Sequence, residues 1–200
     1  IHLAIRYNDF INKVLKLNNE VGDLKLYFKP FKFDKSTFGI NPGATYGSAK
    51  RWYPQEFAKL AITLSSKYDI VIFGGPSEID IAKDIEDELV KNGVLNYQNL
   101  AGKTSIKELI EKIAGLNLFV TNDSGPMHVA AAYKIKTVSI FGPTKFTETN
   151  QWRNDKNGLI VTKNLDCAPC MKRECPLKHH NCMKNITASD VMSAILKLED

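Results

Sequence analysis

Between residues 121 and 128 the chain reads TNDSGPMH, which places an aspartate, a serine, a glycine and a histidine around one proline. These residue types suit a helix start that holds an anion. Asp123 and Ser124 are good N-cap residues, Gly125 lets a ligand approach the backbone, and Pro126 presets φ for the first turn. Unpaired amides and the positive end of the helix dipole then face outward, where phosphate oxygens can accept from them. His128 falls about one turn into the helix and faces the same mouth. The plain alternative is an ordinary capped helix carrying a structural histidine, and this segment alone does not choose between the two.

Two other stretches carry matching chemistry. NPGATYGSAKRW (41–52) combines two glycines, the small hydroxyl of Thr45 and adjacent cations at Lys50 and Arg51. A diphosphate needs close backbone amides and a point charge, and such a loop can supply both. It is not a P-loop, because the Gly-Lys-Ser/Thr order is absent, and the chain holds no G-x-G-x-x-G. Readings as a P-loop ATPase or a nicotinamide enzyme weaken accordingly. FGGPSE (73–78) presents Glu78 from a glycine-rich turn, where a carboxylate can accept hydrogen bonds from a ribose diol. The plain alternative there is a first-turn glutamate favoured by the helix dipole.

The elements that must position these residues follow from periodicity. From residue 37 onward, apolar runs alternate with amphipathic ones, which predicts an α/β fold: a Rossmann-like parallel sheet with helices on both faces. TFGI (37–40), DIVIFGG (69–75), YQNLAG (97–102), LFVTN (118–122), TVSIFG (137–142) and GLIVT (158–162) read as strands. A helix should open at Pro54 and bury Phe57, Leu60, Ala61 and Leu64. Others are expected over 78–91, over 105–115 with Ser105 and Glu108 in capping-box spacing, and over 126–133. A closing helix capped by Thr187 or Ser189 should bury Val191, Ile195 and Leu198. In such sheets ligands bind beyond the carboxyl ends of the strands, so the loops named above lie where a site belongs.

The bulk numbers bound the rest. Two hundred residues with 44% hydrophobic and 24% charged content describe a globular chain with one main core. No run reaches the roughly 18 to 20 apolar residues of a membrane span, and the first residues lack the pattern of a signal peptide, so a cytoplasmic setting is expected. The charge of +5, from 27 basic and 22 acidic side chains, is dispersed along the chain, which favours anionic small ligands or an anionic surface nearby without demanding nucleic acid. The chain starts at Ile1 on an amphipathic stretch with Tyr7, Phe10, Ile11, Val14 and Leu17 on one side. We expect residues 1–36 to be a helix and connector leading in from an earlier part of the chain, and 37–200 to form the sheet domain that carries the site.

NPGATYGSAKRWYP, VIFGGPSE, LAGKTSIKELI and VTNDSGPMHVAAA, in that order and followed by SIFGPT, resemble the C-terminal half of the ADP-heptose:lipopolysaccharide heptosyltransferases, in particular their heptosyltransferase II branch. The resemblance is strong over about 37–145 and loose over the whole chain. It implies a two-lobed GT-B glycosyltransferase whose C-terminal lobe binds the donor, ADP-heptose. The lipid A-Kdo-heptose type acceptor would be held by the other lobe, with peripheral contact at the inner face of the bacterial inner membrane. Carried over by position, Lys50 and Thr45 would contact the diphosphate with Arg51 nearby, and Glu78 would hold the ribose. The backbone near Lys103 or Thr104 would border the adenine. Asp123 would reach heptose hydroxyls, the Ser124 and Gly125 amides would cradle phosphate, and His128 would sit beside the sugar-phosphate. Lys50 and His128 would support the leaving group, and no metal or other cofactor is required. The general base would belong to the other lobe, so this part alone would bind donor without transferring sugar. The loops themselves leave a different nucleotide sugar, such as a UDP-hexose, open.

The cysteines follow C-x2-C-x4-C-x6-C at Cys167, Cys170, Cys175 and Cys182, with His179 and His180 inside, in a Cys-rich loop over 165–184. Zinc, local disulfides and reduced thiols all stay open on spacing alone. A nucleic-acid module built on this cluster is the alternative from another functional class; it would need a continuous basic face with interleaved aromatics, and MKREC is the one dense basic patch.

Overall fold

The computed structural model describes residues 1–199 and contains a six-stranded, all-parallel sheet. The strands are β1 (Thr37–Asn41), β2 (Asp69–Ile72), β3 (Tyr97–Asn99), β4 (Leu118–Asn122), β5 (Lys136–Phe141) and β6 (Gly158–Thr162), in spatial order β3-β2-β1-β4-β5-β6. The chain therefore builds outward from β1 in one direction, then returns to its other side at β4. That reversal creates a switch point between β1 and β4, where the two following loops must diverge and leave a crevice. The register pairs Ile40 with Val120 and Asn41 with Thr121. Both strands thus end level with one another.

Every residue of β1 and β4 is buried, which is why each reads as a continuous apolar run without alternation. Helices cover both faces. On one, α2 (Pro54–Leu64), α3 (Ile79–Lys91) and α8 (Ala188–Glu199) pack Phe57, Leu60, Ile85, Leu89, Val191 and Ile195 onto Phe38, Ile40, Ile70, Ile72, Val120 and Val138. On the other, α4 (Ile106–Ala114) and α5 (Gly125–Ala132) bring Ile113 and Ala130 against Val71, Phe73 and Phe119. Two short helices, α6 (Phe146–Thr149) and α7 (Asn181–Lys184), flank β6 and the cysteine loop. Pro54 opens α2 at the first turn. Ser105 and Glu108 form the reciprocal bonds of a capping box on α4. Thr187, not Ser189, caps α8: its hydroxyl accepts from the Asp190 amide at 3.2 Å, while its own amide donates to the Asp190 carboxylate at 2.8 Å.

Some boundaries differ from expectation for local reasons. The second strand stops at Ile72 because Gly74, Gly75 and Pro76 turn the chain into a 3-10 turn over Pro76–Glu78, and the helix begins only at Ile79. The first helix, α1 (Leu3–Leu15), ends with Lys16 in a left-handed conformation at φ 52°, so Leu17 lies beyond it. Its apolar stripe is uncovered, with Tyr7 65%, Phe10 61% and Val14 58% exposed. His2 anchors its start by stacking on Trp152 at 4.6 Å and bonding Asn150 O through Nε2 at 3.2 Å. The connector after it lies along α4 and α5: the Phe31 amide donates to Glu111 O at 2.8 Å, and Tyr133 Oη donates to Phe28 O, also at 2.8 Å. Among the described residues no helix is long and apolar enough to cross a membrane.

Candidate functional site

At the switch point β1 and β4 both end in asparagine, and these two side chains shape the crevice. Asn122, fully buried, accepts from the Trp52 amide through Oδ1 at 3.1 Å and donates through Nδ2 to Pro42 O at 2.7 Å and Gly43 O at 3.3 Å. Asn41 Nδ2 also donates to Gly43 O, at 3.3 Å. The loop after β1 is thereby clipped at both ends to the last residue of β4. An amide side chain suits this task because it donates and accepts at once.

A cavity of about 480 Å³ opens above these strand ends. Its lining brings together Thr45, Lys50, Glu78, Asp123, Ser124, Gly125 and His128, from three different loops. Lys50 and Gly125 share it. Lys50 Nζ lies 2.6 Å from Asp123 Oδ2 and donates to Asp123 O at 3.3 Å, with side-chain exposures of 12% and 5% for the pair. Thr144 Oγ1 donates to the same carboxylate oxygen at 2.7 Å, and the ammonium stands 4.6 Å from the Tyr46 ring centre. The lysine is thus held in place, already paired, on the cavity wall.

Glu78 enters from the opposite side. Its Oε2 accepts from the Gly75 amide at 2.7 Å. A Cβ on Gly43 would fall 2.0 Å from the Glu78 carboxylate carbon, so glycine there is what lets the carboxylate reach the cavity. Gly125 differs: a Cβ built on it meets nothing within 4 Å. No part of the described chain requires a glycine at this helix start, which leaves the space above it open to a ligand.

The start of α5 departs from the expected cap. Ser124 occupies the N-cap position but makes no side-chain cap bond; its hydroxyl donates to Asn122 O at 3.3 Å. Asp123 is turned away toward Lys50 and Thr144, because an ion pair with a buried ammonium outweighs a cap bond. The first turn is consequently not closed off by a neighbouring side chain. His128, one turn on, has its pKa lowered from the ordinary 6.5: burial disfavours the imidazolium, partly offset by Asp123, with His2 and Lys50 adding repulsion. It stands neutral at pH 7, with one ring nitrogen able to donate and the other to accept.

Three expected residues lie outside the lining. Arg51 is not part of the cavity wall, and its Nε is buried without a hydrogen-bond partner among the described residues. Lys103 is exposed and donates to Asn99 O at 2.9 Å within its own turn, and Thr104 beside it is half-buried. Their loop follows β3, two strands from the switch point, although Gly102 N does reach Gly74 O at 2.9 Å. Conversely, Asn41, Tyr46 and Thr149 line the cavity, and Asn122 and Thr144 support it, without having been singled out in the sequence. The available signal was the shared ending of two apolar runs, TFGIN and LFVTN, in asparagine.

The four cysteines are free thiols: Cys167, Cys170 and Cys175 sit on the loop between β6 and α7, and Cys182 lies within α7. That loop packs behind the residues carrying Lys50. Tyr46 Oη donates to Met171 O at 3.0 Å, Ala49 N donates to Arg173 O at 3.0 Å, and the His180 ring bridges Ala49 O (2.9 Å) and Tyr53 Oη (3.2 Å).

Comparison with known proteins identifies the family and the fold. Residues 3–181 match the profile of glycosyltransferase family 9 (heptosyltransferase). The lipooligosaccharide heptosyltransferase 2 of Campylobacter jejuni serotype O:6 is 46% identical over 206 residues, covering 98% of this chain and 64% of the relative. Among solved structures, Escherichia coli ADP-heptose LPS heptosyltransferase II superposes with a TM-score of 0.68 at 25% identity, over 96% of this chain and 52% of that one. E. coli heptosyltransferase WaaC with ADP superposes equally well (TM-score 0.68, 96% of this chain and 55% of that one) at 20% identity, which speaks for the fold alone. The chain therefore spans under two thirds of that curated relative and about half of these solved enzymes. It belongs to glycosyltransferase family 9, the heptosyltransferases.

Proposed function

We propose that the switch-point cavity binds the ADP-heptose donor of a heptosyltransferase that builds the inner core of lipopolysaccharide or lipooligosaccharide. One observation carries the reading: a paired lysine, an open glycine at a helix start and a glutamate over a glycine turn line a single cavity. The diphosphate would lie across the start of α5, accepting from backbone amides, with Lys50 beside it. Glu78 would accept from the ribose diol. Asp123 repels phosphate but suits hydroxyls, which assigns it to the sugar. ADP fits as leaving group because the related E. coli heptosyltransferase II, at 25% identity, is an ADP-heptose enzyme.

In an inverting displacement the bond from the anomeric carbon to the β-phosphate oxygen breaks as the acceptor hydroxyl attacks, and negative charge grows on the departing diphosphate. Lys50 and the α5 amides face that charge already oriented, so little reorganisation is needed as it develops. Neutral His128 can donate one hydrogen bond to a phosphate oxygen. The lipid-anchored acceptor, the membrane surface it sits on and the base that takes its proton belong to the whole enzyme.

Calorimetry with ADP, UDP and ADP-heptose tests the reading. ADP should bind in the micromolar to millimolar range, with UDP at least about tenfold weaker, a difference of about 1.4 kcal/mol. Equal binding of UDP would defeat the base assignment. Absence of any nucleotide binding would defeat the site.

A further inference from the structure

We propose that Cys167, Cys170, Cys175 and Cys182 together bind one thiophilic divalent metal ion, zinc or ferrous iron, as a structural site that braces the loop carrying Lys50. All four thiols, drawn from sixteen residues of chain, line one small cavity of about 20 Å³ beside His179 and His180. That volume holds about one small atom. A water trapped there would need two to four polar partners, and thiols are poor ones, whereas four sulfurs around a single-atom space match the donor set of a tetrahedral metal. The Cys175 sulfur already accepts the His180 amide at 3.4 Å, the kind of bond that orients a metal-bound thiolate.

Two features show that the loop needs such a tie. From Lys163 to His180 it contains no helix or strand, so few backbone bonds hold it. Met171, Lys178 and His180 adopt left-handed backbone (φ 56°, 58° and 53°), each costing about 1–2 kcal/mol for a residue with a Cβ. Yet this loop is pressed tightly on its neighbours. A Cβ on Gly47 would fall 2.3 Å from Arg173 O, and one on Gly142 would fall 3.1 Å from Cys182 Sγ. Among the described residues no group of three or more His, Cys, Asp or Glu stands in a metal-holding arrangement, so binding must draw the sulfurs inward by side-chain rotation. A metal fixed there would also fix Met171, Arg173 and His180, and with them Tyr46, Ala49 and Lys50.

The metal site stands without the donor reading; only the brace rests on it. The protein purified under reducing, chelator-free conditions should carry about one zinc or iron per chain by elemental analysis. Elemental identity separates the two metals. Ellman's reagent should find the four thiols shielded until a mercurial releases the ion, and cobalt(II) should replace it with the intense absorption of a tetrathiolate. Cys182 is buried and its replacement risks unfolding the chain, so Cys170→Ser, at a half-buried position, is the deciding variant. It should keep the native circular dichroism and lose the ion. Less than about a fifth of an equivalent of metal with no cobalt uptake, or full occupancy in Cys170→Ser, overturns the site. For the brace, stripping the metal should weaken ADP binding about tenfold and restoring it should recover the loss. Unchanged ADP binding in the stripped protein overturns the brace with the site intact. ADP binding to neither form counts against the donor reading, with the metal count unaffected.

Discussion

The loops that follow β1 and β4 and the loop that follows β3 all leave the same edge of the sheet, but they are built to different standards. The first two are joined to each other by buried bonds: Asn122 to Trp52 and Pro42, and Lys50 to Asp123. The third carries Lys103 into solvent, bonded only within its own turn. All three read alike as glycine-containing strand exits rich in small and polar residues. What separates them is strand order, since β1 and β4 are neighbours and β3 sits at the rim. A charge beside the switch point can be held, desolvated and aimed; one at the rim is screened.

The largest effect expected from this contrast is at Lys50. Lys50→Ala leaves the buried Asp123 carboxylate unpaired, which should lower unfolding stability by about 3 kcal/mol in urea titration. It should also weaken ADP binding by about 1–3 kcal/mol, because the site then faces a diphosphate with an uncompensated anion. The double variant Lys50→Met, Asp123→Leu should regain most of the stability and none of the affinity. A single variant as stable as the parent would show that the pair does not join the two loops.

Gly125→Ala separates binding from folding. The added methyl meets nothing within 4 Å, so stability should stay within about 0.5 kcal/mol of the parent by thermal melting. ADP affinity should fall about tenfold, since the methyl occupies the approach to the helix start. Unaltered affinity would move the diphosphate away from α5.

Much of this was legible in the residues themselves. Continuous apolar runs located the strands, and Pro54, Ser105 with Glu108, and Thr187 marked helix starts by local bonding that depends on little else. Local signals fail where a partner is distant in sequence. Ser124 looks like a cap, but its neighbour Asp123 is claimed by a lysine 73 residues earlier, and the cap bond is not made. Asn41 and Asn122 look like turn residues, and only strand adjacency turns them into a clip. The two terminal helices make the same point: α8 buries Val191 and Ile195 while α1 leaves Tyr7 and Phe10 open, although both carry an apolar stripe. The pattern names the face and not what covers it.

His128 offers a gentler probe of the switch-point wall. Its pKa lies below the ordinary 6.5, so the unfolded chain binds a proton that the folded one resists. Between the two values the unfolded state holds more protons, and stability must rise with pH across that window. Acidification from pH 7 through 6.5 and below should therefore reduce the denaturation midpoint, and His128→Gln should flatten that part of the profile. A bound diphosphate adds negative charge near the ring and should pull the pKa back up, so proton uptake should accompany ADP binding below pH 7. A profile identical in the variant would mean that another group governs the acid limb.

Lys103→Ala should change least. The side chain is exposed, its ammonium is spent on Asn99 O, and the cavity wall is formed without it. A solvated charge two strands from the switch point contributes only screened attraction, so ADP affinity should shift by less than about twofold at 0.15 M salt. The expectation from family resemblance concerned the backbone of this loop, and Gly102, whose φ of 70° suits glycine, ties that backbone to Gly74 beneath the cavity. Gly102→Ala is therefore the sharper contrast within the loop: a Cβ there would fall 2.8 Å from the Ile79 side chain and strain the turn. If Lys103→Ala weakened ADP as much as Lys50→Ala, strand order would not be what sorts these exits, and the site would have to extend outward along the sheet edge to β3.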